Sequence, residues 1–386
     1  MEQSFVKSRT RSLLEHFAEI KDPRQPCKVM YPLPEVLLLV VCATIAGCDD
    51  YDEIAAWGEE RLEFLRRLLP HHWGVPCEDW LRVVMNRIDP DLFSACFSAW
   101  ASALSPAMAT KSMAEVIAID GKTSRRSHDR RRGQAALHLV SAWATTRRLV
   151  LAQEAVADKS NEIVAIPALL ERLRLQGALV TIDAMGTQSE IAATILAGGG
   201  NYLLALKENR PATFKDVETF FRDPPPGLLE NHATTDGGHG RIEIRRHAVC
   251  HEVGWLVSDR RYPGEPTFPG LAMIGMVEAE TERAGKTTRE RRYYLSSAKL
   301  DAPGFAHAAR AHWGIENRLH WVLDVVFKED QSRLRRGHGA RNMAVVRHFA
   351  INLVRNATDR RSIKTRRKRA GWNSDYLLSL LQPAPR

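Results

Sequence analysis

Two short apolar runs, each closing on an aspartate just ahead of a glycine, constrain this chain more than any other feature. The first is Val116-Ile117-Ala118-Ile119-Asp120-Gly121 and the second is Leu179-Val180-Thr181-Ile182-Asp183-Ala184-Met185-Gly186. β-Branched residues give both an extended preference, and their length suits buried strands rather than helices. A carboxylate at the end of such a strand is costly unless it is paired or binds a cation. Two matching strand ends therefore point to one shared metal site, with the missing ligands supplied from farther down the chain.

The flanking sequence falls into segments around these strands. Residues 1–110 read as a helical module, with apolar residues at helical spacing over 12–20, 34–46 and 51–69. Asp89-Pro90 opens a further helix, and prolines punctuate the segments. From residue 115 strands take over, at 115–120, 136–145 and 149–156, with a turn at Thr146-Arg147-Arg148. An amphipathic helix over 161–176, with Ser160 as its N-cap, leads to the Asp183 strand. A helix over 188–197 stops at Gly198-Gly199-Gly200 before a strand at 202–206. Three strands, helix, strand, helix, strand is an order that resembles the RNase H core, a mixed sheet with helices packed on it. In that fold the first and fourth strands are neighbours, which would bring Asp120 beside Asp183.

Residues from about 210 to 300 break the alternation and read as an inserted, mainly β segment, with strands at 241–250 and 291–296. Helices follow over 302–327 and 343–356, then a basic run over 360–369. The expected organisation is a helical domain at 1–110, an α/β catalytic domain at 111–357 carrying the β insertion, and a basic tail at 358–386. The chain has 386 residues, 44% hydrophobic and 26% charged, enough for a sizeable core, and its net charge of +9 favours polyanionic partners, nucleic acid first. Its six cysteines lack ligand spacing and read as reduced thiols in a cytoplasmic protein. The longest apolar run, 36–46, is too short to span a bilayer, so no membrane is expected.

Glu316 is the leading candidate for the third acid, because a carboxylate is out of place in the apolar helix between Trp313 and Trp321. Asp324 lies roughly 80° round that helix and is a second candidate. Glu329 reads as solvated at the helix end. An all-carboxylate set suits a hard, oxygen-liking ion such as Mg²⁺. Two such ions about 3.5–4 Å apart serve in-line phosphoryl displacement. Gly121-Lys122-Thr123 is not a phosphate loop, since Val116 stands where the earlier glycine is needed. His312, Glu316 and His320 share a helix face, but their order is wrong for zinc. Lone histidines such as His138 and His348 read as core or surface residues. Basic clusters at 125–132, 333–347 and 360–369 are candidate phosphate contacts.

Several blocks together resemble one known family. They are Ile117 to Thr123, Ala136 to Ala142, Asp158 to Ile163, Asp183-Ala184-Met185-Gly186, His239-Gly240-Arg241, Tyr293 to Ser297, and His312-Trp313-Gly314-Ile315-Glu316-Asn317 with Leu319 to Val325. These look like the ISAs-type insertion-sequence transposases, the DDE-class branch that includes the H-repeat-associated proteins. The resemblance implies an RNase H-like core and a β insertion ahead of the glutamate. It also implies a catalytic and metal-binding triad of Asp120, Asp183 and Glu316, served by two Mg²⁺ ions for which Mn²⁺ substitutes. The expected activity is metal-dependent cleavage at transposon ends and strand transfer into target DNA. The rivals are a nuclease without strand transfer and an inactive DNA-binding remnant. Expected partners are double-stranded DNA and further copies of the chain in a synaptic complex, at the nucleoid of a bacterial cytoplasm.

Wider relatives place Tyr seven and Arg four residues before the glutamate and Lys seven after it, where this chain has Ala309, His312 and Leu323. The candidate DNA contacts are therefore Lys122, Arg125, Arg126, Lys207, Arg310, Arg318, Lys328, Arg335, Arg336, Arg366 and Arg367. Thr187 and Asn201 stand where close relatives often have Cys and Asp.

Overall fold

The computed structural model describes residues 13–104, 114–129, 133–156, 162–238, 241–257, 267–283 and 286–381. Ser160, Arg130 to Arg132 and His239-Gly240 lie outside the described residues, so the expected N-cap and part of the first basic cluster do too.

A nine-stranded mixed sheet organises the molecule, in the order β3-β2-β1-β4-β5-β9-β8-β7-β6. Its RNase H-like half consists of β1 (Val116–Thr123), β2 (His138–Ala144), β3 (Leu149–Val156), β4 (Leu179–Ile182) and β5 (Asn201–Leu206). β1 is antiparallel to β2 and parallel to β4, with Ile119 opposite Ile182. The insertion contributes β6 (Glu230–Gly238), β7 (Arg241–Cys250), β8 (Met273–Arg283) and β9 (Lys286–Ser296). These strands are not a separate layer. β9 pairs antiparallel with β5, from Leu203 opposite Ser296 to Leu206 opposite Tyr293, so the insertion extends the core sheet. The insertion also begins with an unexpected helix, Pro211–Arg222, whose Phe214 and Phe221 stack on Tyr293.

Side chains alternate across β1 and feed two cores. Ile117 and Ile119 face a core closed by the helices Glu162–Glu171 and Ser189–Ala197. Ala118 faces the opposite core, which contains the N-terminal helices and the C-terminal ones together. The centre of that second core is the helix Leu33–Ala46, buried almost all round and ended by Gly47 at φ 113°. A helix apolar on every side belongs inside a large core. Among the described residues no helix is long and apolar enough to cross a membrane.

Expectation and structure part at the domain boundaries. The helix Gly339–Arg355 carries two fully buried asparagines. The Asn342 amide donates to the carbonyls of Met85 (2.8 Å) and Ile88 (3.0 Å) in the N-terminal segment. Asn352 exchanges hydrogen bonds with the backbone of Val150, capping the edge of β3 at 2.8 and 2.9 Å. One helix thus bolts the helical module to the sheet. The segment expected as a tail forms two helices, Ile363–Trp372 and Ser374–Leu381, and the first packs on Leu33–Ala46.

Candidate active site

Asp120 lies on β1, and the parallel register with β4 places Asp183 beside it at the next strand's end. The backbone N–H of Gly121 donates to Asp120 Oδ1 at 2.9 Å. Asp183 caps the short turn Ala184–Gly186, accepting from the Met185 N–H at 3.1 Å. Gly186 is needed there, since a Cβ would stand 2.3 Å from Ile182 Cγ2. Thr187 hydrogen-bonds the carbonyl of Ala205 on β5, which fixes the exit from that turn.

The third acid arrives on a helix that is not continuous. The α-helix Ala302–His312 gives way to a π-helical turn, Glu316–His320, and then to the α-helix Trp321–Val325. Single π turns are frequent at functional sites, because the extra residue per turn re-aims the side chains that follow. The expectation that Glu316 sits inside an apolar helix is corrected: Glu316 is exposed, while its neighbours Ile315 and Leu319 are buried. It shares with Asp120 and Asp183 a cavity of about 610 Å³, also lined by Lys207, Arg292 and Trp313.

Electrostatics couples these acids. Burial, then the charges of Asp183 and Glu316, push the Asp120 carboxyl up to about 8. Burial, then the charge of Glu162, raise Asp183, against the opposing charge of Lys207. Partial burial, opposed by Arg292, also raises Glu316. The oxygen-only donor set and its unmatched negative charge fit a divalent cation. As the side chains stand, no three His, Cys, Asp or Glu groups among the described residues already enclose an ion.

A fourth carboxylate was missed. Glu162 opens its helix as a buried residue, its Oε1 2.6 Å from His138 Nε2, and Thr123 Oγ1 holds the other ring nitrogen at 2.7 Å. A Cβ on Gly121 would meet Glu162 Oε1 at 2.3 Å, so the glycine after Asp120 makes room for this acid. The Asp158–Ile163 block was the available signal, though Glu162 had been assigned only to the first helical turn. Arg292 was missed too: it bonds both oxygens of Glu290 (2.8 and 2.9 Å) and stacks over Trp313 at 4.3 Å.

The histidines on the Glu316 helix are neutral. Burial lowers His312 to about 4, and its Nδ1 meets Thr181 Oγ1 at 3.0 Å. Burial and then the charge of Lys122 lower His320 to about 3, with its Nδ1 3.4 Å from Asp120 Oδ2. His312 therefore packs the helix onto β4 in the position where relatives carry a cation.

Several expected DNA contacts are occupied elsewhere. Lys122 is nearly buried, its Nζ 2.7 Å from Asp324 Oδ1, 2.8 Å from Glu329 Oε2 and 3.6 Å from Asp330 Oδ1. Glu329 is 2% exposed, which corrects its expected solvation. Burial alone would raise its carboxyl, but Lys122 and then Arg347 outweigh that and hold it at about 2. Asp324 pairs with Lys122 rather than with an arginine. Arg367 is buried, bonded to the carbonyls of Thr44 and Val326 and stacked on Phe327, and Arg366 is bonded to Asp359. Lys328 pairs with Asp49 at 2.6 Å, Arg125 with Asp330 at 3.4 Å, and Arg335 with the carbonyl of Arg126 at 3.1 Å. Lys207, Arg310 and Arg318 stay exposed around the cavity, and Arg126 and Arg336 are exposed farther off.

An RNase H-like sheet with acids at the ends of β1 and β4, and an inserted β segment ahead of a third acid, defines a transposase of the DDE class. The chain belongs to the DDE transposase family: residues 111–353 match the transposase DDE domain, and residues 14–101 match the DDE_Tnp_1-associated family. It is 37% identical over 378 residues to the "H repeat-associated putative transposase YhhI" of Escherichia coli K12, covering 96% of this chain and 98% of that one. It is 38% identical over 380 residues to the "Putative transposase YncI" of Escherichia coli O157:H7, covering 96% and 94%. A piggyBac transposase in a synaptic complex with hairpin DNA aligns at 12% identity and a TM-score of 0.43, over 99% of this chain and 82% of that one. The protein is thus a DNA transposase, of a family that implies phosphodiester cleavage and strand transfer and generally uses divalent metals.

Proposed function

We propose that this transposase cuts DNA at the ends of its own element and joins the freed 3′-hydroxyl to target DNA, with Mg²⁺ as its metal. The observation that carries the reading is the β1–β4 register, which sets Asp120 beside Asp183 in the cavity that Glu316 borders. These three residues would hold the divalent ion, which when bound supplies charge neutralisation at the phosphate and acidifies a water molecule. Lys207 and Arg292 stand on the cavity wall, where their charge offsets that of the non-bridging phosphate oxygens in the transition state. His320 and the Gly121 N–H orient the two oxygens of Asp120, while the His138–Glu162 pair buttresses its backbone. Both chemical steps need two ends held together, so the working form is a homo-oligomer on double-stranded DNA, acting at the nucleoid in the cytoplasm.

The test uses purified protein, a duplex carrying the element end, and a supercoiled target. Asp120→Asn, Asp183→Asn and Glu316→Gln are expected to lose Mg²⁺-dependent cleavage by at least about 10³-fold, since each removes a group required in the transition state. They should keep DNA binding. Asp324→Asn should retain measurable cleavage. Glu316→Gln cutting at the wild-type rate would assign the third role to another acid, and cleavage without joined products would leave a nuclease.

A further inference from the structure

Beside the acidic cavity, on the far side of Trp313, lies a second one of about 500 Å³. Its walls include Trp143, Arg148, Arg310, Trp313, Asn317 and Arg318, and Trp313 lines both cavities. Trp143 lies two residues along β2 from Ser141, the partner of Asp120, and so about 7 Å along the sheet from the catalytic strand end. The volume is that of a site for one small organic group.

Its charge is unusual. Arg355 forms the base, stacked on Trp143 at 4.3 Å and bonded to the carbonyls of Arg148 and Arg318. Among the described residues no carboxylate pairs with Arg148, Arg318 or Arg355, and Arg310 comes only within 3.8 Å of Asp236. Burial and then the charges of Arg148 and Arg318 lower the Arg355 guanidinium to about 9. Burial followed by Arg148 and Arg310 lowers Arg318 as well. Uncompensated arginines this close cost free energy until an anion enters. Arg148 is also held at φ 58°, a left-handed conformation that disfavours a side chain. The fully buried Trp143 indole N–H has no acceptor.

We propose that this arginine–tryptophan cavity is a nucleotide subsite. It binds a backbone phosphate of the DNA strand next to the one being cut, on Arg148 and Arg318, with the attached base against Trp313. Planar guanidinium groups suit phosphate oxygens, and indole faces suit any base. The subsite rests on the DNA-cutting reading for its position relative to the scissile phosphate, but its binding is measured separately.

The full-length protein is titrated with a fluorescein-labelled duplex bearing a single-stranded 3′ extension, over a range of KCl concentrations. Arg148→Gly removes the side chain where glycine is the conformationally preferred residue, so the fold is kept, and Arg318→Gln keeps length. The double variant is expected to lower affinity at every sequence tested and to reduce the salt slope by about 2, one per phosphate contact. Arg361→Ala, an exposed arginine away from the cavity, should leave both unchanged. Replacing one nucleotide of the extension by an abasic residue should weaken wild-type binding and leave Trp313→Ala unaffected. An unchanged slope and affinity in the double variant, with cleavage intact, would overturn the subsite alone. Loss of binding in that variant, from a wild-type protein that cuts nothing, would support the subsite and defeat the reaction assignment.

Discussion

Asp120 holds its proton up to about pH 8 because burial, then Asp183 and Glu316, disfavour the ionised form. In the unfolded chain the same group ionises near pH 3.9. Between those values the folded state binds more protons, so this group lowers stability progressively as pH rises from about 4 to about 8, and not outside that window. Metal-free Asp120→Asn is therefore expected to melt above wild type at pH 8, by roughly 2 °C or more. The difference should vanish near pH 4. Thermal unfolding in EDTA at both pH values checks this, and equal melting temperatures at pH 8 would mean that the site is not electrostatically loaded. Adding Mg²⁺ at pH 8 should raise the wild-type melting temperature and leave the variant unmoved, because the ion replaces the proton.

The Glu316-bearing element is positioned by a clamp rather than by its own helix. The Lys122 ammonium, two residues along β1 from Asp120, gathers Asp324, Glu329 and Asp330, while Ser124 Oγ donates to the Glu329 carbonyl at 3.4 Å. Removing one member of a buried pair leaves the other charge uncompensated, at a cost of roughly 3–5 kcal/mol. Lys122→Met should lower stability by that order and reduce cleavage, with the salt slope of DNA binding unchanged. Adding Glu329→Gln should recover part of the stability, a coupling that a double-mutant cycle in urea measures. A smaller salt slope at unaltered stability would instead return Lys122 to the DNA surface.

At the scale of the whole molecule, the N-terminal helices are part of the catalytic domain's core. Phe97 and Trp100 pack on Phe349 with ring centroids 5.0 and 4.8 Å away, and Arg367 reaches the Thr44 carbonyl across the chain. Removing residues 1–110 would uncover this face and strip Asn342 of both its acceptors. The full chain should therefore unfold in one cooperative step, and the fragment 114–386 should bind a hydrophobic dye and show no sharp melting. A fragment that melts cooperatively near the full-length temperature would restore two independent domains.

The sequence by itself determined the strands and their chemistry. Apolar runs ending in Asp120 and Asp183 are local patterns, and so is the alternation that sets three strands before a helix. The core half of the sheet and its two aspartates were legible for that reason. Glu316 came from its motif block, although the physical reason offered for it was wrong: a π turn, invisible in a helical pattern, puts it in solvent. What only the tertiary structure decided concerns partners far apart in the chain. Lys122 read as a surface cation because its acids lie more than 200 residues away, and Glu329 read as solvated because the sequence does not show what packs over it. Glu162 looked like an ordinary first-turn acid until the fold set it over Gly121. Arg366 and Arg367 looked like a basic tail until burial turned them into struts. Charge and periodicity are properties of a segment, whereas the neighbour that neutralises a charge is fixed only when the sheet and its two cores close.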